Sequence, residues 1–423
     1  MAPLSLIVVG AGDRGTGHAR WTLSHPGRAQ VVAVAEPRLA RRQRFAAEHG
    51  IAADGAVEDW RELAARGRIA DAVLICTQDR LHLEPALAFA ELGYHIMLEK
   101  PMALDEPSCR AIVDAVERAG VILAVGHVLR YTPYTQALKG VLDSGRLGDI
   151  VSVQHTEPVG HWHQAHSFVR GNWRRTDEAT SMLMAKSCHD LDWLQYIVGQ
   201  PPTRVSSFGR LSHFTPANRP AGAADRCLDC AVESQCAFSA QRIYGERLAS
   251  GDHGWPLSVV VEEPTEEALD TALRSGPYGR CVYACDNDVV DHQVVSMEFA
   301  GGATATFAMT GLSQMANRRT TVFATRGELH GDGATLRIHD FLTGQDETID
   351  TTPEGDMSAG GGHGGGDAGL MDAFITAVAT GDASLVRSGP HESLLSHLTV
   401  LAAERARHAG TVEHITTSTQ PSP

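Results

Sequence analysis

Two short clusters carry the residues whose types and spacing best suit chemistry. Gly10-Ala11-Gly12-Asp13-Arg14-Gly15 follows an apolar run, Leu4–Val9, and opens a helix-period stretch. In that setting G-x-G-x-x-G reads as a dinucleotide fingerprint. The first glycine permits a tight turn, the second lets backbone approach a pyrophosphate, and the third lets helix pack on strand. The helix start then offers N–H groups and a positive dipole end to phosphate. Glu36 closes the next apolar run, where a carboxylate accepts both ribose hydroxyls and repels a 2′-phosphate, so NAD is expected over NADP. Arg38, Arg41 and Arg42 are the residues that would instead tolerate that phosphate. The second cluster is Glu99-Lys100-Pro101. Proline disfavours a helical Lys100, so the lysine projects from the end of a strand, where open α/β sheets bind ligands. Elsewhere a lone lysine would be an ordinary solvated residue.

The elements that must position these residues are legible as patterns. Strands are predicted at Leu4–Val9, Val31–Ala35, Ala72–Cys76, Ile96–Leu98 and Ile122–Val125, with helices at Leu39–His49, Leu83–Leu92 and Ser108–Ala119 between them. Alternation of this kind builds a doubly wound parallel sheet. From Ile150 the texture changes to strands in succession: Ile150–His155, Val289–Phe299, Ala303–Thr310, Thr320–Ala324 and Thr335–His339. They predict a large, open, mostly antiparallel sheet, with a helix at Asp190–Val198 and closing helices at Leu370–Thr380 and Glu392–His408. The reading divides the α/β chain into residues 1–126, a second domain over 127–414 with a cysteine-rich insertion at 216–279, and a frayed tail at 415–423. The 423 residues carry 36 basic and 51 acidic side chains, a formal charge of −15. That field disfavours nucleic acid as a partner. No apolar run is long enough for a membrane helix and no basic n-region precedes the first strand, so a cytoplasmic location is expected.

With a later Cys188-His189-Asp190-Leu191-Asp192 at a helix start, the glycine fingerprint and Glu-Lys-Pro make the chain resemble the Gfo/Idh/MocA oxidoreductases over nearly its whole length. The resemblance implies a Rossmann domain followed by an α/β domain whose open sheet often mediates dimers or tetramers. It also implies hydride exchange between a nicotinamide and a sugar or cyclitol carbinol, with Lys100 polarising the hydroxyl and His189 taking its proton. Asp13, Arg14, Glu99 and Lys100 join the glycines and Glu36 as candidate cofactor contacts. One departure stands out. Many inositol- and glucose-dehydrogenase relatives carry an aspartate four residues before the histidine, and here that position is Ala185, followed by Lys186. If the helix begins early, Lys186 shares a face with His189 and adds a second cation that helps hold an alkoxide or an anionic substrate. The alternative is a surface lysine at a helix edge.

On the substrate side, residues 161–175 hold His161, Trp162, His163, His166, Arg170, Trp173, Arg174 and Arg175. Indole faces suit the C–H face of a pyranose, and arginines suit carboxylate, sulfonate or phosphate. An oligomer interface or a histidine metal site are the other readings. Asp291 and His292 lie on opposite faces of a predicted strand, so one of them is expected in the cleft. The tract Ala359–Asp367 is expected to form a lid, with His363 and Asp367 at its working end, or else a plain linker. Cys227, Cys230 and Cys236, completed by Cys281 or Cys285, have spacing suited to a structural zinc; free buried thiols or a [4Fe–4S] cluster are alternatives.

Two enzyme readings share these residues. One is an NAD-dependent sugar or inositol dehydrogenase that releases NADH. The other is similar to the family's NAD-dependent glycosidases, including sulfoquinovosidases, which oxidise carbon 3 transiently, eliminate the aglycone, add water and return the hydride. The second is favoured, with an anionic pyranoside as substrate and a homodimer or homotetramer as assembly. A non-catalytic nucleotide-sensing or scaffolding protein is the reading from outside enzymology.

Overall fold

The computed structural model describes residues 2–352 and 363–416. Six strands form the first sheet: β1 (Leu4–Val9), β2 (Ala29–Ala35), β3 (Ala56–Val57), β4 (Ala72–Ile75), β5 (His95–Leu98) and β6 (Leu123–Val125). All run parallel, in the order β3-β2-β1-β4-β5-β6. This is the doubly wound order, with its switch point between β1 and β4. Ile7, Val8, Val73, Leu74, Ile96 and Met97 are fully buried because helices cover both faces, which is why these strands are continuously apolar instead of alternating.

Nine strands form the second sheet: β7 (Ile150–Pro158), β8 (Pro202–Arg210), β9 (His292–Phe299), β10 (Thr304–Thr310), β11 (Arg319–Ala324), β12 (Gly327–Gly331), β13 (Thr335–Asp340), β14 (Asp346–Asp350) and β15 (Glu413–His414). Their order is β14-β13-β12-β11-β7-β10-β9-β8-β15. The pairs are antiparallel except β7 with β10, so the sheet is mostly antiparallel, as the sequence anticipates, with one parallel pair at its centre. Alternation sets its two faces. On β9, Gln293, Val295, Met297 and Phe299 are buried against helices Cys188–Val198 and Pro390–Ala409, while Val294 and Ser296 face outward. Strands β8, β12 and β14 escaped prediction because their apolar residues are too few to stand out from loop sequence.

Two connections matter for the site. Residues 211–291, longer than the expected insertion, fold into a helical module between β8 and β9, with a separate core of Phe214, Phe238, Tyr244, Leu257 and Leu273. The helix Gly366–Thr380 then returns to the first sheet and buries Leu370, Met371 and Phe374 against Leu6, Val8 and Val34. Among the described residues no helix is long and apolar enough to cross a membrane. Of the glycine tract, residues 359–362 lie outside the described residues, as do residues 417–423 of the tail.

Candidate active site

A single cleft of about 2130 Å³ runs along the C-terminal ends of the first sheet and is walled by the second sheet and the helical module. Its nucleotide end is built by the glycine turn. Gly10 has φ +93, and a Cβ there would stand 2.6 Å from the Cys76 carbonyl oxygen. A Cβ on Gly15 would stand 2.0 Å from the Gly10 oxygen, so helix Asp13–Ser24 could not pack this close with any other residue. Gly12 faces open space, with only Arg41 Nη1 at 3.9 Å, which is the room a pyrophosphate needs over a helix N-terminus. Glu36 follows β2 directly, is 5% exposed, and accepts from Ala11 N–H (2.9 Å) and Arg38 N–H (3.0 Å). The carboxylate is thus fixed where a ribose would meet it. Arg42 donates to the Pro37 carbonyl (3.3 Å), and Arg41 lies 3.4 Å from Glu262 of the helical module, so both are occupied rather than waiting for a 2′-phosphate. These residues fit NAD, as the sequence anticipates.

Arg14 and Glu99 take a different part from the one expected. Arg14 Nε donates to Glu99 Oε1 (2.8 Å), and its two terminal nitrogens donate to the two oxygens of Asp367 (2.8 Å each). Glu99 also bonds His18 (2.7 Å) and accepts from the Lys100 N–H (3.1 Å). Burial alone would raise Glu99, but Arg14 and His18 hold it well below the ordinary carboxylate range. Its oxygens are therefore committed to bracing the fingerprint and Lys100. Asp13, at the first helical position, is exposed and lines the cleft.

The reactive end gathers Lys100, Lys186, His189 and His363. Lys100 leaves the end of β5, and its Nζ donates to the Ala185 carbonyl oxygen (2.7 Å). His189 occupies the first turn of helix Cys188–Val198 and is 5% exposed. Burial, then the charge of Lys100 and the neighbouring His127, push its imidazole well below its usual pKa, so it is a neutral base. Its ring lies 5.9 Å from that of His127 and 5.9 Å from that of His363. His127 is fully buried, pushed down to about 3 by that burial, and its Nδ1 stands 3.7 Å from Asp192. Asp192 in turn takes two 2.7 Å bonds from Arg130, which anchors the helix carrying His189.

Lys186 is not on that helix. Helix Met182–Ala185 stops before it and the next begins at Cys188, so the shared face expected with His189 does not form. Lys186 sits at the joint, lines the cleft, and pairs with Glu157 (3.0 Å). Arg318, from the loop before β11, pairs with both Glu157 (3.1 Å) and Asp190. Neither Arg318 nor Glu157 carried a sequence signal, since one lies in a loop and the other ends a strand, and only the fold brings them to His189.

The 161–175 stretch divides. His163, His166 and Trp173 line the cleft: His166 bonds Tyr244 (2.8 Å) and stacks on Tyr278, and Trp173 Nε1 donates to Asp79 (3.0 Å). The other expected contacts point elsewhere. Arg170 is 1% exposed at the end of the π-helical turn Gln164–Arg170, aimed into the helical module, where it donates to the Arg280 and Phe238 carbonyls (2.7 and 2.8 Å). Arg174 pairs with Asp286 (3.0 Å) and Glu178 (2.8 Å), and Arg175 with Asp177 (2.8 Å). Trp162 is covered by Arg247, and His161 packs on Phe238, outside the cleft. Asp291 is fully buried and accepts from the N–H groups of Ser212 and His213, closing a turn at the mouth of the module. His292 bonds Asp291 (2.8 Å) at the far end of β9 and also misses the cleft. The local basic pocket expected from the three arginines is therefore not formed by them.

The thiol site also differs. Among the described residues, no three His, Cys, Asp or Glu side chains stand together closely enough to hold a metal, so Cys227, Cys230, Cys236 and Cys281 do not form the expected four-thiolate zinc set. Cys227 sulfur instead accepts from Arg170 (3.4 Å) and the Ala240 N–H (3.5 Å), and Cys285 donates to the Cys281 carbonyl (3.3 Å).

Residues 4–127 match the oxidoreductase family with an NAD-binding Rossmann fold, and residues 139–412 match the C-terminal α/β domain of the same family. The chain belongs to the Gfo/Idh/MocA oxidoreductases. It is an NAD-dependent enzyme of that family, which sets aside the scaffolding alternative. It is 23% identical to the oxidoreductase YteT of Bacillus subtilis over 71% of each chain, and 30% identical to 2,7-anhydro-N-acetylneuraminate hydratase of Escherichia coli over 35% of this chain and 39% of that one. Its alignments with inositol 2-dehydrogenases and a levoglucosan dehydrogenase span 43–55% of those proteins. Among solved structures, an oxidoreductase from Agrobacterium radiobacter in complex with NAD+, L-tartaric acid and magnesium superposes with a TM-score of 0.71 at 15% identity, covering 98% of this chain and 99% of that one.

Proposed function

We propose that the enzyme oxidises a ring carbinol of a sugar or cyclitol, and that with a glycoside it restores the carbinol after breaking the glycosidic bond. The observation that carries this is the convergence of Lys100 and His189 at the strand ends beside the glycine turn, with Lys100 Nζ held against the Ala185 carbonyl. NAD, when bound, supplies a reversible hydride acceptor. Lys100 polarises the reacting hydroxyl and stabilises the developing oxyanion. His189, kept neutral by burial and by Lys100, accepts the hydroxyl proton. His163, His166 and Trp173 supply the aromatic wall on which a pyranose face stacks. Relatives named as inositol and levoglucosan dehydrogenases support a sugar-type carbinol, and one named as a hydratase supports chemistry that ends without net oxidation.

An acidic group is not required of the substrate in this reading. The sulfoquinovoside suggested by the sequence drew on the 161–175 stretch, on Ala185-Lys186 and on the cysteine insertion; of its cations Lys100 and Lys186 line the cleft, while Arg170, Arg174 and Arg175 are engaged away from it. The bare face of the nine-stranded sheet is our proposed contact for a homodimer or homotetramer. Incubation with NAD and a panel of p-nitrophenyl glycosides tests the reading. Nitrophenol release without accumulating NADH is expected. NADH without nitrophenol overturns the glycosidase half and leaves a dehydrogenase; neither product from these glycosides or from myo-inositol overturns both.

A further inference from the structure

His363 is the one side chain within the glycine tract Gly360–Gly366, and its surroundings give it chemistry. Its backbone has φ 49, a left-handed conformation that glycine accepts freely and histidine only at a cost. The side chain is 13% exposed and lines the cleft. Its Nδ1 lies 3.2 and 3.3 Å from the two oxygens of Asp367 and 3.5 Å from Arg14 Nη1. The carboxylate is the nearer partner of Nδ1, and an Nδ1 proton donated to Asp367 leaves the Nε2 lone pair without a partner among the described residues. Asp367 is itself fixed by two 2.8 Å bonds from Arg14, in the first turn of the dinucleotide helix. The aspartate–histidine pair is thereby locked to the cofactor turn. The His363 ring stands beside that of His189, 5.9 Å between centroids, so two imidazoles share one wall of the cleft. Burial lowers the His363 pKa although Asp367 opposes it, so Nε2 is a free base at neutral pH.

Oxidation of a carbinol needs one base, which is His189. Breaking the bond two carbons away needs a second, because the C–H between the carbonyl and the leaving group must lose its proton. The hydroxyl proton of carbon 3 and the C–H proton of carbon 2 lie on neighbouring positions, which two neighbouring bases can reach, and at Ala185 no carboxylate is present to serve.

We propose that His363 is a second catalytic base, whose Nε2 removes and later returns the proton on the carbon next to the transient carbonyl. The assignment rests on the redox-neutral reading above. In balance, carbon 3 gives its hydride to bound NAD and its hydroxyl proton to His189. His363 Nε2 takes the carbon 2 proton, and the C–H electron pair forms an enolate whose oxygen faces Lys100. The enolate electrons form the carbon 1–carbon 2 double bond as the carbon 1–oxygen bond breaks, and the aglycone leaves with its electron pair and gains a proton from solvent. Water then bonds to carbon 1 and gives its second proton to solvent, replacing the one the aglycone took; His363 returns a proton to carbon 2, the hydride returns to carbon 3 and the His189 proton to its oxygen. The sum is glycoside plus water giving sugar plus aglycone.

The test follows carbon 2. A p-nitrophenyl glycoside that the wild-type enzyme turns over is incubated with NAD in D2O, and deuterium at carbon 2 is read by NMR beside single-turnover NADH absorbance. The variants are His363→Gly, which suits the left-handed backbone, and His363→Asn as a second left-handed-tolerant change. Roughly 10²-fold or greater loss of deuteration is expected, far beyond any slowing of NADH formation, with partial recovery in the glycine variant on adding imidazole. Deuteration that persists, or that falls only in step with NADH formation, overturns the role of His363 alone. Wild-type enzyme that forms NADH without carbon 2 deuteration overturns the elimination and the role with it; no NADH from any glycoside overturns the hydride reading beneath both.

Discussion

The two ends of the cleft were built under different rules. At the nucleotide end, function depends on backbone: a glycine with φ +93, a helix start, and a carboxylate fixed by two N–H groups. Backbone geometry of this kind is set by a few consecutive residues, and every one stands where its motif requires. At the substrate end, function depends on which side chains a π-helical turn, a helix joint and a strand edge point inward. There the richest run of sequence, residues 161–175, placed three of its eight expected contacts, His163, His166 and Trp173, on the cleft and turned its arginines into supports. Charge density along the chain is thus a poor guide to charge in a cavity, because a guanidinium with carbonyls or carboxylates nearby is held by them.

The largest expected effect tests whether the two ends meet at one reaction. Lys100→Met should lower turnover by roughly 10³-fold while NAD affinity, measured by tryptophan quenching, changes little, because in the proposed reaction Lys100 acts on the developing oxyanion. Equal loss of both would move Lys100 to the nucleotide end of the comparison.

Next comes pH. His127 and His166 are pushed down to about 3 and His397 to about 4 by burial, all on or behind the substrate wall. The unfolded chain protonates each near pH 6.5, the folded chain only far below. Stability is therefore complete above that pH and falls as pH drops through it, by about 1.4 kcal/mol for each histidine at pH 5.5, or about 4 kcal/mol together. Thermal unfolding midpoints that stay flat between pH 7.5 and 5.5 would show these rings are charged in the fold.

Arg170→Ala probes an arginine that the sequence assigned to substrate. It should destabilise the fold by about 3 kcal/mol, since it strands two buried carbonyl acceptors and leaves a cavity, with KM nearly unchanged in the protein that folds. A large rise in KM at normal stability would restore it to the substrate site. The smallest effect belongs to Arg174→Ala and Arg175→Ala. Their partners Asp286, Glu178 and Asp177 form surface ion pairs screened by solvent, so stability should barely move and activity should change less than about twofold. A loss of tenfold in either would break the distinction between supporting and cleft-facing arginines.

Much of the architecture was readable because its causes are local. Continuous apolar runs between helix-period stretches define a sheet covered on both faces, and alternation in β9 and β10 defines one covered on a single face. Asp291 shows the limit of alternation: its face was readable as one of two, but only the arrival of Ser212 and His213 N–H groups makes it a turn clamp. Lys186 shows another, since its place depends on a helix ending at Ala185 and a new one starting at Cys188, a joint that three-residue spacing cannot reveal.

The sequence by itself determined the dinucleotide turn, the carboxylate that follows the second strand, the lysine at the strand end and the histidine at the helix start. Each of these is specified by contiguous residues whose backbone conformation carries the function. Only the tertiary structure decided that Arg14 is clamped by Asp367, more than 350 residues away, that Glu157 and Arg318 border the reactive end, and that His363 stands beside His189. Those relations are long-range pairings of side chains, and a charged group takes the partner that folding brings to it, which no local spacing encodes.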